Sequence, residues 1–178
     1  MIKKYRHLFL SLFIILIDQI SKFFIVANIA ENTIGYSFFN DFLWIVHVRN
    51  NAVAFSLGHS LDLPIRIVLF IIIPIIVLIY IFYLMYFEKD FKLTNFQRWL
   101  FAGFIGGGIG NLIDRIFKNF QVVDFMSNRV YGFLGFERWP TWNFADASIV
   151  ICVSLMLISL IVGHFNRKKV LEDNIIEK

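Results

Sequence analysis

The sequence predicts an all-α polytopic membrane protein: four transmembrane helices, both termini in the cytoplasm, and a small extracytoplasmic β-sheet. Three observations lead there. Of 178 residues, 58% are hydrophobic, 22 are Phe and only 17% are charged, with a mean hydropathy of +0.71. That composition excludes a soluble globular domain, a disordered chain, collagen and a coiled coil. The apolar residues fall into four separate stretches rather than one anchor, and the basic residues crowd one side of those stretches. The length suits one domain, 1–178.

A helix crossing a hydrocarbon layer of about 30 Å needs about 20 apolar residues. Residues 8–29 qualify, interrupted only by Asp18, Gln19, Ser21 and Lys22. The basic start at Lys3, Lys4 and Arg6 imitates a signal peptide, but the internal charges and the missing A-x-A site favour a retained span. Residues 67–87 carry no charge, and Pro74 within them predicts a kink. Residues 99–117 are glycine-rich and meet their first charges at Asp114 and Arg115; residues 147–165 are nearly all Ile, Leu, Val and Ser.

Orientation follows from Lys and Arg in the short loops. Lys3, Lys4 and Arg6 precede the first span, Lys89, Lys92 and Arg98 lie between the second and third, and Arg167, Lys168, Lys169 and Lys178 follow the fourth. These ten of the 17 basic residues place both termini inside and residues 30–66 and 118–146 outside. In the first outer segment, Phe42 to Val48 has strand composition bounded by Asn and Asp. In the second, residues 126–141 mix Arg129 and Arg138 with Tyr131, Phe133, Phe136 and Trp139, as expected of a segment at headgroup level. The tail from Arg167 reads as a solvated helix or a disordered end.

Several chemistries are set aside. Cys152 is the single cysteine, so one chain can build neither a disulfide nor a thiolate metal site. His7, His47, His59 and His164 lack ligand spacing, no cofactor or metal is expected, and no long basic patch suits nucleic acid.

A carboxylate within a span is expensive and is therefore a functional candidate. Asp18 is the deepest; Lys22 stands one turn later on the same helix face, where the two can pair, and a polar tie between helices is the simpler reading. Antiparallel spans bring Asp114, Asp124 and Asp146 to one outer face. The adjacent Arg115 suggests an ion pair and a structural role for Asp114. Asp124 and Asp146 have uncharged sequence neighbours. Two carboxylates sharing a partly dry site hold one proton between them near neutrality, the arrangement of an aspartic protease. The alternative is capping: Asn143 is a good N-cap with Asp146 at its N3 position. Asn50, Asn51, Asn111 and Asn143 are the further polar residues expected there, either orienting a peptide or satisfying backbone groups. Gly103, Gly107 and Gly106, Gly110 form overlapping GxxxG pairs suited to close helix packing, and Cys152 reads as packing.

Together these blocks resemble lipoprotein signal peptidase, the type II signal peptidase family of bacteria. The resemblance rests on Asp18-Gln19-Ile20-Ser21-Lys22, Arg49-Asn50-Asn51-Ala52-Val53-Ala54-Phe55, Gly106 to Arg115, Val122-Val123-Asp124-Phe125 and Trp139 to Asp146, in the family's order over most of the chain. It implies an aspartyl endopeptidase of the bacterial cytoplasmic (inner) membrane. Such an enzyme removes signal peptides from diacylglyceryl-modified prolipoproteins, cutting before the lipidated cysteine, and is inhibited by globomycin. By analogy Asp124 and Asp146 are the catalytic pair, Asn50, Asn111, Arg115 and Asn143 support it, and Asp18, Lys22 and Asp114 hold the fold. The family also has a surface helix over the site, and residues 126–141 are the expected lid. Ala52 and Val53 stand where the family usually has Gly-Ala, which alters the fit near Asn50. Two other readings compete: a small transporter subunit relaying charge through Asp18, Lys22, Asp114 and Arg115, and a structural subunit using Gly106 to Gly110 as its contact surface.

Overall fold

The computed structural model describes residues 2–50, 62–88 and 92–176, with side chains described for 4–50, 62–88 and 92–166. Among the described residues, four helices are long and apolar enough to cross a membrane: α1 (Leu8–Asn28), α2 (Leu63–Tyr86), α3 (Asn95–Phe117) and the start of α4 (Phe144–Ile176). Between them lie strands β1 (Ile34–Phe38), β2 (Leu43–Asn50) and β3 (Val122–Asn128).

The first span starts at Leu8 as expected, and the other three start earlier than hydropathy suggests because polar residues build the helix ends. At α3, Thr94 and Gln97 form a reciprocal capping box, which starts the helix at Asn95 rather than Trp99. At α2, Asp62 is extended and Pro64 occupies the first turn, so the helix starts at Leu63 and includes Arg66. Pro74 has no N–H to donate one turn back, and the chain passes through a π-turn at Val68–Ile72 immediately before it. The expected distortion is therefore a widened turn. The tail continues α4 as helix to Ile176.

The bundle is polar inside and apolar outside. The buried residues of α1 are Ser11, Asp18 and Lys22, which spacing places on one face, while Phe9, Phe13 and Phe23 are more than half exposed. Lipid is the solvent that makes this distribution stable, since a polar atom must find its partner inside. Ser11 donates to the Ala102 carbonyl at 2.6 Å and Ser148 to the Gly103 carbonyl at 2.8 Å, tying α1 and α4 to α3. An added Cβ at Gly106 would come within 2.9 Å of the Ser11 backbone, at Gly107 within 2.5 Å of the Ala145 carbonyl oxygen, and at Gly110 within 2.8 Å of Asp18 Oδ2. The glycine face of α3 is thus filled by α1 and α4 of the same chain, which removes the basis for reading it as a contact surface for another subunit. A smaller apolar core of Leu78, Met85, Tyr86, Ala102 and Ile105 joins α2 to α3.

The three strands form one antiparallel sheet in the order β1-β2-β3. Both β2 and β3 sit at the chain end of the bundle where α1 and α3 finish and α4 begins. Between 118 and 143 the only helix is a 3-10 turn at Phe133–Gly135, so residues 126–141 are the end of β3 and a hairpin-like loop. Arg138 clamps that loop to the sheet: it donates to the Ser127 side chain and carbonyl and to the Asp41 carbonyl, and lies 3.7 Å from the Trp44 ring centroid.

Candidate active site

The site begins with the cap of α4. Asn143 Oδ1 accepts from the Asp146 backbone N–H at 2.9 Å, and Asp146 Oδ2 accepts from the Asn143 N–H at 3.2 Å. This reciprocal pair satisfies amides that a helix start leaves without partners, and it fixes the Asp146 carboxylate at the first turn. Its other oxygen accepts from Asn111 Nδ2 at 2.7 Å. Capping and presentation to a site are therefore the same geometry.

Asp124 arrives from the sheet. Pairing of β2 with β3 puts Val48 opposite Asp124 and Asn50 opposite Val122, so Asn50 and Asp124 are diagonal neighbours on one face. Asn50 donates to Asp124 Oδ2 at 2.9 Å. Asn143 Nδ2 donates to the other carboxylate oxygen at 2.7 Å. Asn143, fully buried, is thereby bonded to both aspartates.

Deeper lies a second polar cluster. Lys22 Nζ pairs with Asp18 Oδ2 at 2.7 Å and Asp114 Oδ2 at 2.9 Å, all three side chains fully buried. Lys118 adds a contact to Asp114 at 2.6 Å, and Gln19 donates to Asp18, Asp114 and the Gly110 carbonyl. Asp18 Oδ1 accepts from the Ala145 N–H at 3.0 Å, a second carboxylate at the start of α4. Lys22 also donates to Asn111 Oδ1 at 3.0 Å. Asn111 thus links Lys22 on one side with Asp146 on the other.

Asp124 and Asp146 line a cavity of about 550 Å³ with Asn50, Arg115, Trp139 and Trp142. Ile149, Val150 and Ile151 form its apolar flank, and Val150 is 63% exposed, so the cavity meets the lipid-facing surface of α4. Burial, reinforced by the charge of Asp146, pushes the Asp124 carboxyl up to about 7, against the bonds from Asn50 and Asn143. Among the described residues neither Asp124 nor Asp146 makes an ion pair.

Of the residues singled out in the sequence, Asp124, Asp146, Asn50, Asn111, Asn143 and Arg115 come together here, and Asp18, Lys22 and Asp114 form the cluster behind them. The expected Asp18–Lys22 pair is present. Asp114 does not pair with Arg115, however. Successive helix residues point about 100° apart; Asp114 turns inward to Lys22, and Arg115 turns to the cavity and the Phe70 ring, 5.2 Å away, with Nη1 buried and lacking a hydrogen-bond partner among the described residues. That separation also breaks the four-residue charge relay required by the transporter reading. Asn51 and the Ala52-Val53 departure lie outside the described residues. Sequence reading did not find Gln19 as a ligand of the buried carboxylates or Arg138 as the loop clamp; a polar residue inside a span and a basic residue among aromatics were the available signals.

The profile of Signal peptidase (SPase) II matches residues 10–162. The chain is 42% identical over 159 residues to the lipoprotein signal peptidase of Treponema pallidum (strain Nichols), covering 89% of this chain and 84% of that protein. It is 37% identical over 170 residues to that of Borreliella burgdorferi (strain ZS7), covering 95% and 96%. A solved structure described as a bacterial membrane enzyme superposes with a TM-score of 0.77 at 28% identity, over 90% of each chain; a second gives 0.72 at 29%, over 87% and 92%.

Proposed function

The chain belongs to the signal peptidase II family, and on that premise we propose that it is an aspartyl endopeptidase removing signal peptides from diacylglyceryl-modified prolipoproteins, with Asp124 and Asp146 as the catalytic pair. The observation that carries this reading is the Asn143-bridged pair of carboxylates, hydrogen-bonded by amides and lining a cavity with an apolar flank.

Such a pair holds one proton near neutrality, in keeping with an Asp124 carboxyl near 7. The ionised member takes a proton from water as the water oxygen attacks the scissile carbonyl carbon. The protonated member hydrogen-bonds the carbonyl oxygen as it gains negative charge. Collapse breaks the C–N bond, and a proton passes to the departing amine of the lipid-bearing cysteine. Neither a metal nor a covalent enzyme intermediate takes part. Asn50, Asn111 and Asn143 hold the carboxylates in place, and Arg115, with an unused donor, binds carbonyl oxygens of the substrate. Asp18, Lys22 and Asp114 position Asn111 and the start of α4.

The lipid chains of the substrate enter along Ile149, Val150 and Ile151, and residues 126–141, contributing Trp139 to the cavity wall, shield the site from water. In this reading the site faces outward from the bacterial cytoplasmic (inner) membrane, both termini are inside, and globomycin occupies the cavity. The test is cleavage of a diacylglyceryl-modified lipobox peptide by purified protein, with chelator in a parallel sample. Cleavage before the modified cysteine that survives chelation and disappears in folded Asp124→Asn and Asp146→Asn supports the reading. Cleavage persisting in either variant, or none by wild type on a substrate validated with another family member, refutes it.

A further inference from the structure

A second cavity, of about 340 Å³, lies at the other end of the bundle, where α1 and α3 begin and α2 finishes. Asn95 at its rim is 19 residues before Asp114 on α3, roughly 28 Å at 1.5 Å per residue, close to the thickness of the hydrocarbon layer. It is therefore separate from the aspartate site.

Among the described residues its walls carry Lys4, Arg6 and Arg98 against one carboxylate, Glu88. Both guanidiniums are held by neutral oxygens: Arg6 donates to Asn95 Oδ1 at 2.6 Å and Arg98 to the Met85 carbonyl. Their orientation is fixed while their charge is not neutralised by these bonds. Two further lining residues are more than nine-tenths buried and each has a polar atom without a partner among the described residues: His7 (4% exposed) at Nδ1 and Tyr86 (7% exposed) at its hydroxyl. Buried polar atoms are rarely left so, because each forfeits its bond to water. His7 Nε2 lies 2.9 Å from Asn95 Oδ1 and so carries a proton.

We propose that this cavity binds a phosphate group, with Lys4, Arg6 and Arg98 supplying charge and the Tyr86 hydroxyl supplying a hydrogen bond. Guanidiniums and a hydroxyl converging from three helix ends match the oxygens of a phosphate in number and charge. The cavity's depth suits the phosphodiester of an anionic phospholipid at the membrane surface, and a free phosphate offers the same chemistry.

The test uses full-length protein in detergent with phosphatidylcholine, titrated separately with phosphatidylglycerol and with inorganic phosphate, reading melting temperature and bound lipid by native mass spectrometry. Wild type is expected to be stabilised, and Lys4→Gln/Arg6→Gln to need about tenfold more ligand. Lys168→Gln/Lys169→Gln, removing equal charge from the tail, is expected to behave as wild type. Stabilisation by phosphatidylglycerol alone assigns a lipid headgroup; equal stabilisation by inorganic phosphate assigns a free phosphate. Tyr86→Phe covers the case in which the double variant does not fold: it is expected to melt higher without ligand and to be stabilised less by it. Stabilisation by neither ligand, equal loss in the two double variants, or an undiminished shift in Tyr86→Phe overturns the proposal.

Discussion

Two pairs of aspartates lie close together in this bundle, and their surroundings separate them. Asp18 and Asp114 share the Lys22 ammonium, with Lys118 adding a second cation at Asp114. Asp124 and Asp146 receive hydrogen bonds from Asn50, Asn111 and Asn143 and make no ion pair among the described residues, although Arg115 lines their cavity. Amide donors orient a carboxylate without neutralising it. A compensated cluster holds helices together; an uncompensated pair next to a cavity retains a proton and can pass it on. On the proposed reading, the choice of partner, and not position in the bundle, makes a carboxylate reactive.

The largest effect that sharpens this contrast is on turnover. Asp124→Asn and Asp146→Asn should each lower the rate of peptide cleavage by at least about 10³-fold while the protein stays folded, since general acid–base groups contribute roughly 10² to 10⁴ each. Asp18→Asn and Asp114→Asn should instead show their main effect in unfolding experiments. Equal losses of activity at equal stability in all four would erase the distinction. Next, Lys22→Met leaves two buried carboxylates without their shared cation, a change of about 3 to 5 kcal/mol, measurable by unfolding in mixed micelles. Asn111→Ala removes the link between the clusters and a bond of about 1.5 to 3 kcal/mol to Asp146; it should slow cleavage tenfold or more with a smaller loss of stability than Lys22→Met. Smaller again, Gly107→Ala places a methyl group against the Ala145 carbonyl and should destabilise by about 1 to 3 kcal/mol, with cleavage restored at lower temperature.

Much of this contrast was legible in the sequence, and the missing part is non-local. The Asn143–Asp146 cap and the Asp18–Lys22 pair are local spacings, and both are present. Hydropathy locates four spans and the start of the first at Leu8, but sets the later starts too late, because residues such as Thr94, Gln97 and Asn143 are polar residues that begin helices rather than interrupt them. Asp124 and Ser127 interrupt the run Val122 to Asn128, so composition does not mark β3 as a strand, and only its register with β2 explains why Asn50 meets Asp124. Adjacency in sequence suggests pairing Asp114 with Arg115, whereas the helical rotation between adjacent residues sends the two side chains to different places. Nothing local in the sequence signals that Asp18 also binds the first turn of α4, 127 positions away.

The central claim is that the Asp124–Asp146 pair retains a proton where ordinary carboxylates have lost theirs. Asp124 titrates near 7 in the folded protein against an ordinary value of 3.8. Between those values the folded state binds more protons than the unfolded one. The contribution of this group to stability is thus fully present below about 3.8 and is lost as pH rises through about 7. Infrared difference spectroscopy between pH 5.5 and 8.5, on wild type and Asp124→Asn, reads the proton directly. A protonated carboxyl band that disappears near pH 7 in wild type and is missing from Asp124→Asn is the expected result. A wild-type spectrum with no carboxyl band at pH 5.5, or one that persists unchanged in Asp124→Asn, would contradict it.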